Sequence, residues 1–393
     1  MRKIIFIIQC ILLITVAHSQ TIITMSRLPD TGQTSSYTST FGEDNDYSIN
    51  IPVFLDHHDG TITDTITGLM WQSVDGGEMT FENAILYCDT LTLGGFSNWR
   101  LPTAQEAFSI LNLQNNNPAI NTSFFPNTNA EYWWTSELQA NDGNKIWVTN
   151  AGGGIGNHPK NETLSAGGTK RFHIRAVRDV VDPPTIPNHF TDNEDGTITD
   201  HLTNLMWEKL PSSSTYTWEQ AISSAENLSL ADYSDWRLPN IKELQSLNDE
   251  SSFQPSVTMP FFQNLGVAKY WSATSLPNQT AKAWYWDTAF GITTYDLKVN
   301  SNHLLCVRNI TTTTGAFELN RSQILVYPNP FSSKIRIKNS SGKETFEVTD
   351  GVGRLLYSGK NLEQQDFSSL QNGIYFLKII DNTTSIIKII KGL

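Results

Sequence analysis

The chain says one thing twice. Asp56-His57-His58-Asp59-Gly60-Thr61-Ile62-Thr63-Asp64 returns as Asp192-Asn193-Glu194-Asp195-Gly196-Thr197-Ile198-Thr199-Asp200, and each copy runs on to a Leu-Met-Trp, at Leu69-Met70-Trp71 and Leu205-Met206-Trp207. Trp99-Arg100-Leu101-Pro102 recurs as Trp236-Arg237-Leu238-Pro239, and Trp134 and Trp147 align with Trp271 and Trp284. A repeat this long excludes a solenoid, because each copy is large enough to enclose a core of its own. Two similar domains are expected, each folding alone.

Around this pair the chain divides readily. Residues 1–19 read as a secretory signal, with Arg2 and Lys3 ahead of an apolar run and Ala17-His18-Ser19 at its end. Residues 20–51 form a Ser/Thr-rich leader with little periodicity. The first repeat spans 52–180 and the second 188–310, joined at 181–187 by a linker that Pro183, Pro184 and Pro187 keep extended. Residues 311–321 make a second linker before a tail at 322–393. No other stretch is apolar for the roughly 18 residues a membrane helix needs, so export without a transmembrane anchor is expected.

Charge narrows the partners. The first repeat carries 7 basic and 13 acidic side chains, the second 7 and 14, and the tail 9 and 6. Nucleic acid is excluded as a partner of the repeats, since that affinity is built from Lys and Arg neutralising phosphates.

Within each repeat an Asp-Gly between alternating stretches marks a hairpin. Two helices should follow, starting at Thr80 and Thr103 in the first copy and at Thr217 and Asn240 in the second, each an N-cap ahead of apolar residues at helical spacing. Short Trp- and Tyr-rich strands come last. The expected class is α+β for each repeat, with a small all-β sandwich in the tail, where short alternating strands are separated by Gly turns.

Candidate site residues fall in two groups. Asp56, Asp59 and Asp64, with Asp192, Asp195 and Asp200, supply the hard oxygens that calcium prefers, although Asp-Gly turn chemistry explains the same residues and no EF-hand spacing is present. No other cofactor is implied. Trp133 and Trp286 have no tryptophan counterpart in the other copy, and Trp284-Tyr285-Trp286 sets Tyr285 on the opposite sheet face from its neighbours. Trp133, Tyr285 and Trp286 are therefore the candidate ligand contacts, with core packing as the rival reading. Arg100 and Arg237 read as halves of internal ion pairs, and Glu106 and Glu243 as helix caps rather than catalytic acids. No His-based triad, nucleophile elbow, phosphate loop or dinucleotide fingerprint is seen, so the chain is not expected to be an enzyme.

The tail resembles the C-terminal sorting domain of the type IX secretion system, through Tyr327-Pro328-Asn329-Pro330-Phe331, Asp350-Gly351-Val352-Gly353-Arg354, Leu370-Gln371-Asn372-Gly373-Ile374-Tyr375 and a terminal Lys-rich strand through Lys388 and Lys391. That resemblance implies the type IX machinery as a partner, passage through the periplasm of a Bacteroidetes-type bacterium, and release or attachment at the cell surface after the tail is removed. The repeats resemble the domain that ends the Legionella collagen-like adhesin, through the Asp-Gly-Thr-Ile-Thr-Asp hairpin, Gly68-Leu69-Met70-Trp71, Trp99-Arg100-Leu101-Pro102, Trp134-Thr135-Ser136 and Ala176-Val177-Arg178. This second resemblance implies a C-type-lectin-like fold and an association with sulfated glycans, which the acidic repeats do not favour. It also implies a disulfide from the first helix to the residue before the final Val-Arg. Here Cys88 faces Ala176 in that pairing and Ala225 faces Cys306, so the two thiols either join the repeats or sit apart as small buried residues. A surface adhesion protein recognising glycan is the leading expectation. The alternatives are a structural envelope protein without a saturable ligand and, behind it, an enzyme.

Overall fold

The computed structural model describes residues 25, 27–129, 131–150, 152–164, 171–180 and 189–310, and in the tail 325–328, 331–338, 342–350, 354–380 and 384–392. The signal segment and both linkers expected from the sequence lie outside the described residues.

Repeat one runs β1 (Phe54–Asp56), β2 (Thr61–Asp64), β3 (Leu69–Gln72), α1 (Phe81–Thr90), α2 (Ala104–Ser109), β4 (Tyr132–Gln139), β5 (Asp142–Asn150), β6 (Ile155–Pro159), β7 (Phe172–His173) and β8 (Val177–Asp179). Repeat two follows the same plan with β9 (Phe190–Asp192), β10 (Thr197–Asp200), β11 (Leu205–Glu208), β12 (Thr215–Tyr216), α3 (Trp218–Glu226), α4 (Ile241–Gln245), β13 (Lys269–Ser275), β14 (Lys282–Asp287), β15 (Ile292–Leu297), β16 (Asn302–His303) and β17 (Val307–Asn309). Each hairpin joins its repeat's last strand in a small sheet, ordered β1-β2-β3-β8 and β9-β10-β11-β17. The tail is all β, with a sheet of four strands over Thr345–Lys391 and a two-stranded pair at Leu325–Tyr327 and Arg336–Lys338.

The α+β class is not what forms. The structure is mostly β, with 36% strand against 11% helix. Caps were a sound guide to where helices start, and Thr103 and Asn240 do accept from the backbone N–H of Glu106 and Glu243. A cap says nothing about length, however, and α2 and α4 run for only 6 and 5 residues.

The second departure concerns autonomy. Strands of both repeats join one nine-stranded sheet, ordered β12-β16-β13-β14-β15-β6-β5-β4-β7. The seam is β15 against β6, antiparallel, with Thr293 opposite Ile155. These strands are counterparts, so their antiparallel pairing creates a local two-fold axis, as in an isologous dimer. One hydrophobic core crosses the seam and holds Phe108, Leu113, Trp147 and Ile155 of repeat one with Leu244, Val257, Phe262 and Trp284 of repeat two. Gly153 shows how closely the halves approach. A Cβ there would lie 2.9 Å from both Leu113 and Trp284, so only glycine admits the indole.

The leader lies across the repeats as a strap. The Leu113 N–H donates to the Thr31 carbonyl at 2.8 Å on the repeat-one side. On the other side the Thr274 hydroxyl donates to Asp44, the Ser275 hydroxyl to Glu43, and the Ser275 N–H to the Gln33 side chain at 3.0 Å. Gly42 passes directly over α3, where a Cβ would come within 2.7 Å of Ile222. Buried Lys242 closes the arrangement, donating to the carbonyls of Asp30, Ser109 and Leu111 at 2.7–2.8 Å. Three carbonyl partners satisfy all three donors of the ammonium. Burial still pulls its pKa down to about 8, against the opposing pull of Asp30, and pushes that of Asp44 up to about 8.

Candidate functional site

The six hairpin aspartates serve their own turns. Asp59 accepts from the Thr61 N–H at 3.0 Å and the Thr61 hydroxyl at 2.6 Å, and Asp195 does the same for Thr197. Asp64 accepts from the Ile66 N–H and Asp200 from the Leu202 N–H, both at 2.9 Å. Asp56 accepts from the His58 N–H, and Asp192 from the Glu194 N–H and the Lys209 ammonium. These are Asx turns, which hold the chain reversal without a metal. Among the described residues no three His, Cys, Asp or Glu side chains are grouped to hold an ion.

The three candidate aromatics are buried, at 3% exposure for Trp133, 7% for Tyr285 and 0% for Trp286. The alternation along β14 is as expected, with Trp284 and Trp286 in the core that crosses the seam and Tyr285 in the cluster on the other side. Both faces of the sheet are covered there, so neither presents a ring to solvent. Trp286 donates its indole N–H to Asn248 at 3.3 Å, and Tyr285 packs edge-on to Trp271.

Trp133 leads instead to a polar group that the sequence did not single out. Its indole N–H donates to Asp75 Oδ2 at 3.3 Å, while Asp75 Oδ1 lies 3.1 Å from His173 Nδ1. Behind them Arg175, 2% exposed, donates to the Gln72 carbonyl and the Thr128 hydroxyl, both at 2.8 Å, with its guanidinium over the rings of Phe125 and Trp133. Burial pulls the Arg175 pKa down to about 10, with Asp75 acting against it. Burial also pushes Asp75 upward, but the His173 hydrogen bond and the Arg175 charge outweigh it and leave the carboxyl below its usual range. Repeat two has no such group. It places Tyr270, His303 and Leu305 at the positions of Trp133, His173 and Arg175, and Leu210-Pro211-Ser212 in the loop that carries Asp75. The signal available in sequence was that substitution, an arginine in one copy where the other has leucine.

The Trp-Arg-Leu-Pro arginines are internal. Arg237 forks onto Glu243 at 2.7 and 2.6 Å and donates to Asn309 at 2.7 Å. Arg100 does the same with Glu106 at 2.8 and 2.9 Å, and its third partner is charged, Asp179 at 3.2 Å. The same glutamates complete the helix capping boxes. Cys88 and Cys306 are both free and buried, in separate repeats.

Comparison with known families agrees with this architecture. The Lcl C-terminal domain matches residues 60–178 and 196–308, more than half of the chain, and the secretion system C-terminal sorting domain matches residues 325–391. The chain belongs to the Lcl C-terminal domain family and ends in a type IX sorting domain. That ending implies interaction with the type IX machinery and export to the cell surface or the medium. No curated protein matches. Two solved structures are similar in part. One is PorZ, described as an essential bacterial surface component of the type IX secretion system of Porphyromonas gingivalis, at 14% identity over 66% of this chain and 30% of that one, with a TM-score of 0.17. The other is dimeric latent PorU of the same organism, at 11% identity over 65% and 24%, with a TM-score of 0.15. The chain thus spans less than a third of either, and likenesses at these scores carry no argument. No helix among the described residues is long and apolar enough to cross a membrane.

Proposed function

We propose that this chain is a non-enzymatic adhesion protein that recognises extracellular glycan, with the paired repeats as cargo and the tail as the export address. The observation that carries the reading is the Asp75–His173–Arg175 group. A carboxylate and an imidazole, both partly exposed, sit on a rigid aromatic and guanidinium base, and a charged group kept in one copy and absent from the other is more than the fold needs. Fixed polar groups on an aromatic base are what orients a small polar ligand such as a sugar. The acidic repeats favour a neutral sugar over a sulfated polymer.

Binding of the full chain to a glycan array, with and without calcium, tests the proposal. At least one glycan should bind saturably, and Asp75→Asn and His173→Ala should each weaken it about tenfold, the loss of one hydrogen bond to a charged group. Absence of saturable binding to every glycan would leave a structural envelope protein as the better reading.

A further inference from the structure

The two-fold axis at the β6–β15 seam relates two grooves, one on each repeat, and the strap fills only the one on repeat two. There it covers Ile222, which is fully buried, together with Arg237, Thr274 and Ser275. Their counterparts on repeat one are Ile85, Arg100, Glu137 and Leu138, which the described strap does not cross. Ile85 is 39% exposed and Leu138 49%. Contacts between the repeats confirm the correspondence: Lys242 donates to the Leu111 carbonyl, and its counterpart Gln105 donates to the Asn248 carbonyl at 3.4 Å.

The two grooves have opposite polarity. On repeat two, Lys242 and the hydroxyls of Thr274 and Ser275 receive an acidic strap. On repeat one, glutamine replaces the lysine and Glu137 replaces Thr274. Glu137 Oε2 accepts from the Ala104 N–H at 2.7 Å. Glu250, the counterpart of Leu113, stands nearby with Oε1 buried and without a hydrogen-bond partner. Burial pushes the Glu137 carboxyl up to about 7, with Glu106 and Asp249 adding to the effect. Arg100 is taken by Glu106 and Asp179, and among the described residues neither Glu137 nor Glu250 makes an ion pair.

We propose that the open groove of repeat one docks an extended polypeptide segment of another protein, carrying a lysine or arginine next to an aliphatic residue. The cation would meet Glu137 and Glu250, and the aliphatic side chain would lie on Ile85 and Leu138. The strap of a second copy does not fit this description, because its Asp44 would bring a further carboxyl to Glu137 and no cation. The proposal does not depend on glycan binding, which uses other residues.

Two labelled peptides spanning residues 28–48 provide the probe, one with the native sequence and one carrying Glu43→Leu and Asp44→Lys, the changes that match Leu138 and Glu137. The altered peptide should bind the full chain saturably, at least tenfold more tightly than the native one, and weaken as salt rises. Glu137→Gln with Glu250→Gln should remove that preference while the thermal transition is retained. No saturable binding, equal binding of the two peptides, or a preference that survives the double substitution would each overturn the proposal. The first two outcomes are read on the unaltered chain and do not depend on the variant folding.

Discussion

Repeat two is closed and repeat one is open, although they share a plan and a sheet. In repeat two the Arg237–Glu243 pair is almost wholly buried, Ile222 lies under the strap, and Arg308 is held by Asp235 at 2.7 Å and stacked on Tyr233. The same positions in repeat one hold a partly exposed Arg100, an exposed Ile85, and an Arg178 that meets neutral Asn98. Duplication has separated two duties. One copy spends its polar groups on holding the molecule together, and the other keeps them near solvent.

The comparison can be broken most directly at the seam. Trp284 belongs to repeat two but packs on Gly153 of repeat one, so Trp284→Ala should cost about 3–5 kcal/mol and lower one shared unfolding transition of both repeats. Calorimetry showing two transitions, only one of them moved, would mean that the repeats are independent after all.

The arginine pairs should differ next. Glu243→Gln takes from buried Arg237 its ion-pair partner, leaving it neutral acceptors such as Asn309 and the Leu238 carbonyl, and should cost about 3 kcal/mol, as for one member lost from a buried pair. Glu106→Gln leaves Arg100 with Asp179 and some water, and should cost roughly half as much. Equal losses in denaturant titrations would erase the distinction between closed and open copies.

A smaller effect is expected with pH. Burial raises Asp44 to about 8, Glu137 to about 7 and Asp46 to about 6. Carboxyls raised in the folded state contribute stability that is full below their unfolded pKa, near 4, and is lost as pH rises through the folded values. The melting temperature should therefore fall between about pH 5 and 8. Asp44→Asn should flatten that slope more than Glu137→Gln does, and a melting temperature that rises across this window would refute the assignment.

The smallest effect concerns the thiols. Burial pushes the Cys88 thiol up to about 12 and raises Cys306 as well, so neither should react with an alkylating agent until the protein is denatured. Two thiols should then titrate without reductant in a chain lacking residues 1–19, and with them Cys10. Cys88→Ala should cost under about 1.5 kcal/mol, because Ala225 fills the same place in repeat two.

Much of this was legible in the sequence where the cause is local. Asp-Gly turns and capping residues depend on neighbours a few residues away, and the motif spacing displays them; Arg100 and Arg237 read as internal, without Glu106 and Glu243 being named as their partners. The strap was not legible, because Glu43 and Asp44 look like any surface acids until Thr274 and Ser275 are brought to them. The fold class was misjudged for a related reason: capping boxes at Thr103 and Asn240 announce helices that Ile110 and Ser246 end within two turns. Trp133 and Trp286 were singled out as unmatched, yet a large ring without a counterpart can equally fill the place where two copies meet, and pairing across a seam leaves no periodic trace.

The strap also has a consequence for timing. It precedes both repeats and so leaves the ribosome before them, yet its hydrogen bonds to Thr274 and Ser275 span 230 and more positions. Contacts this distant in sequence form late, because the whole intervening chain must be closed as a loop before they return any free energy. The clasp can therefore shut only after repeat two is complete. A chain truncated before Thr274 would leave Asp44 and Glu43 without these partners.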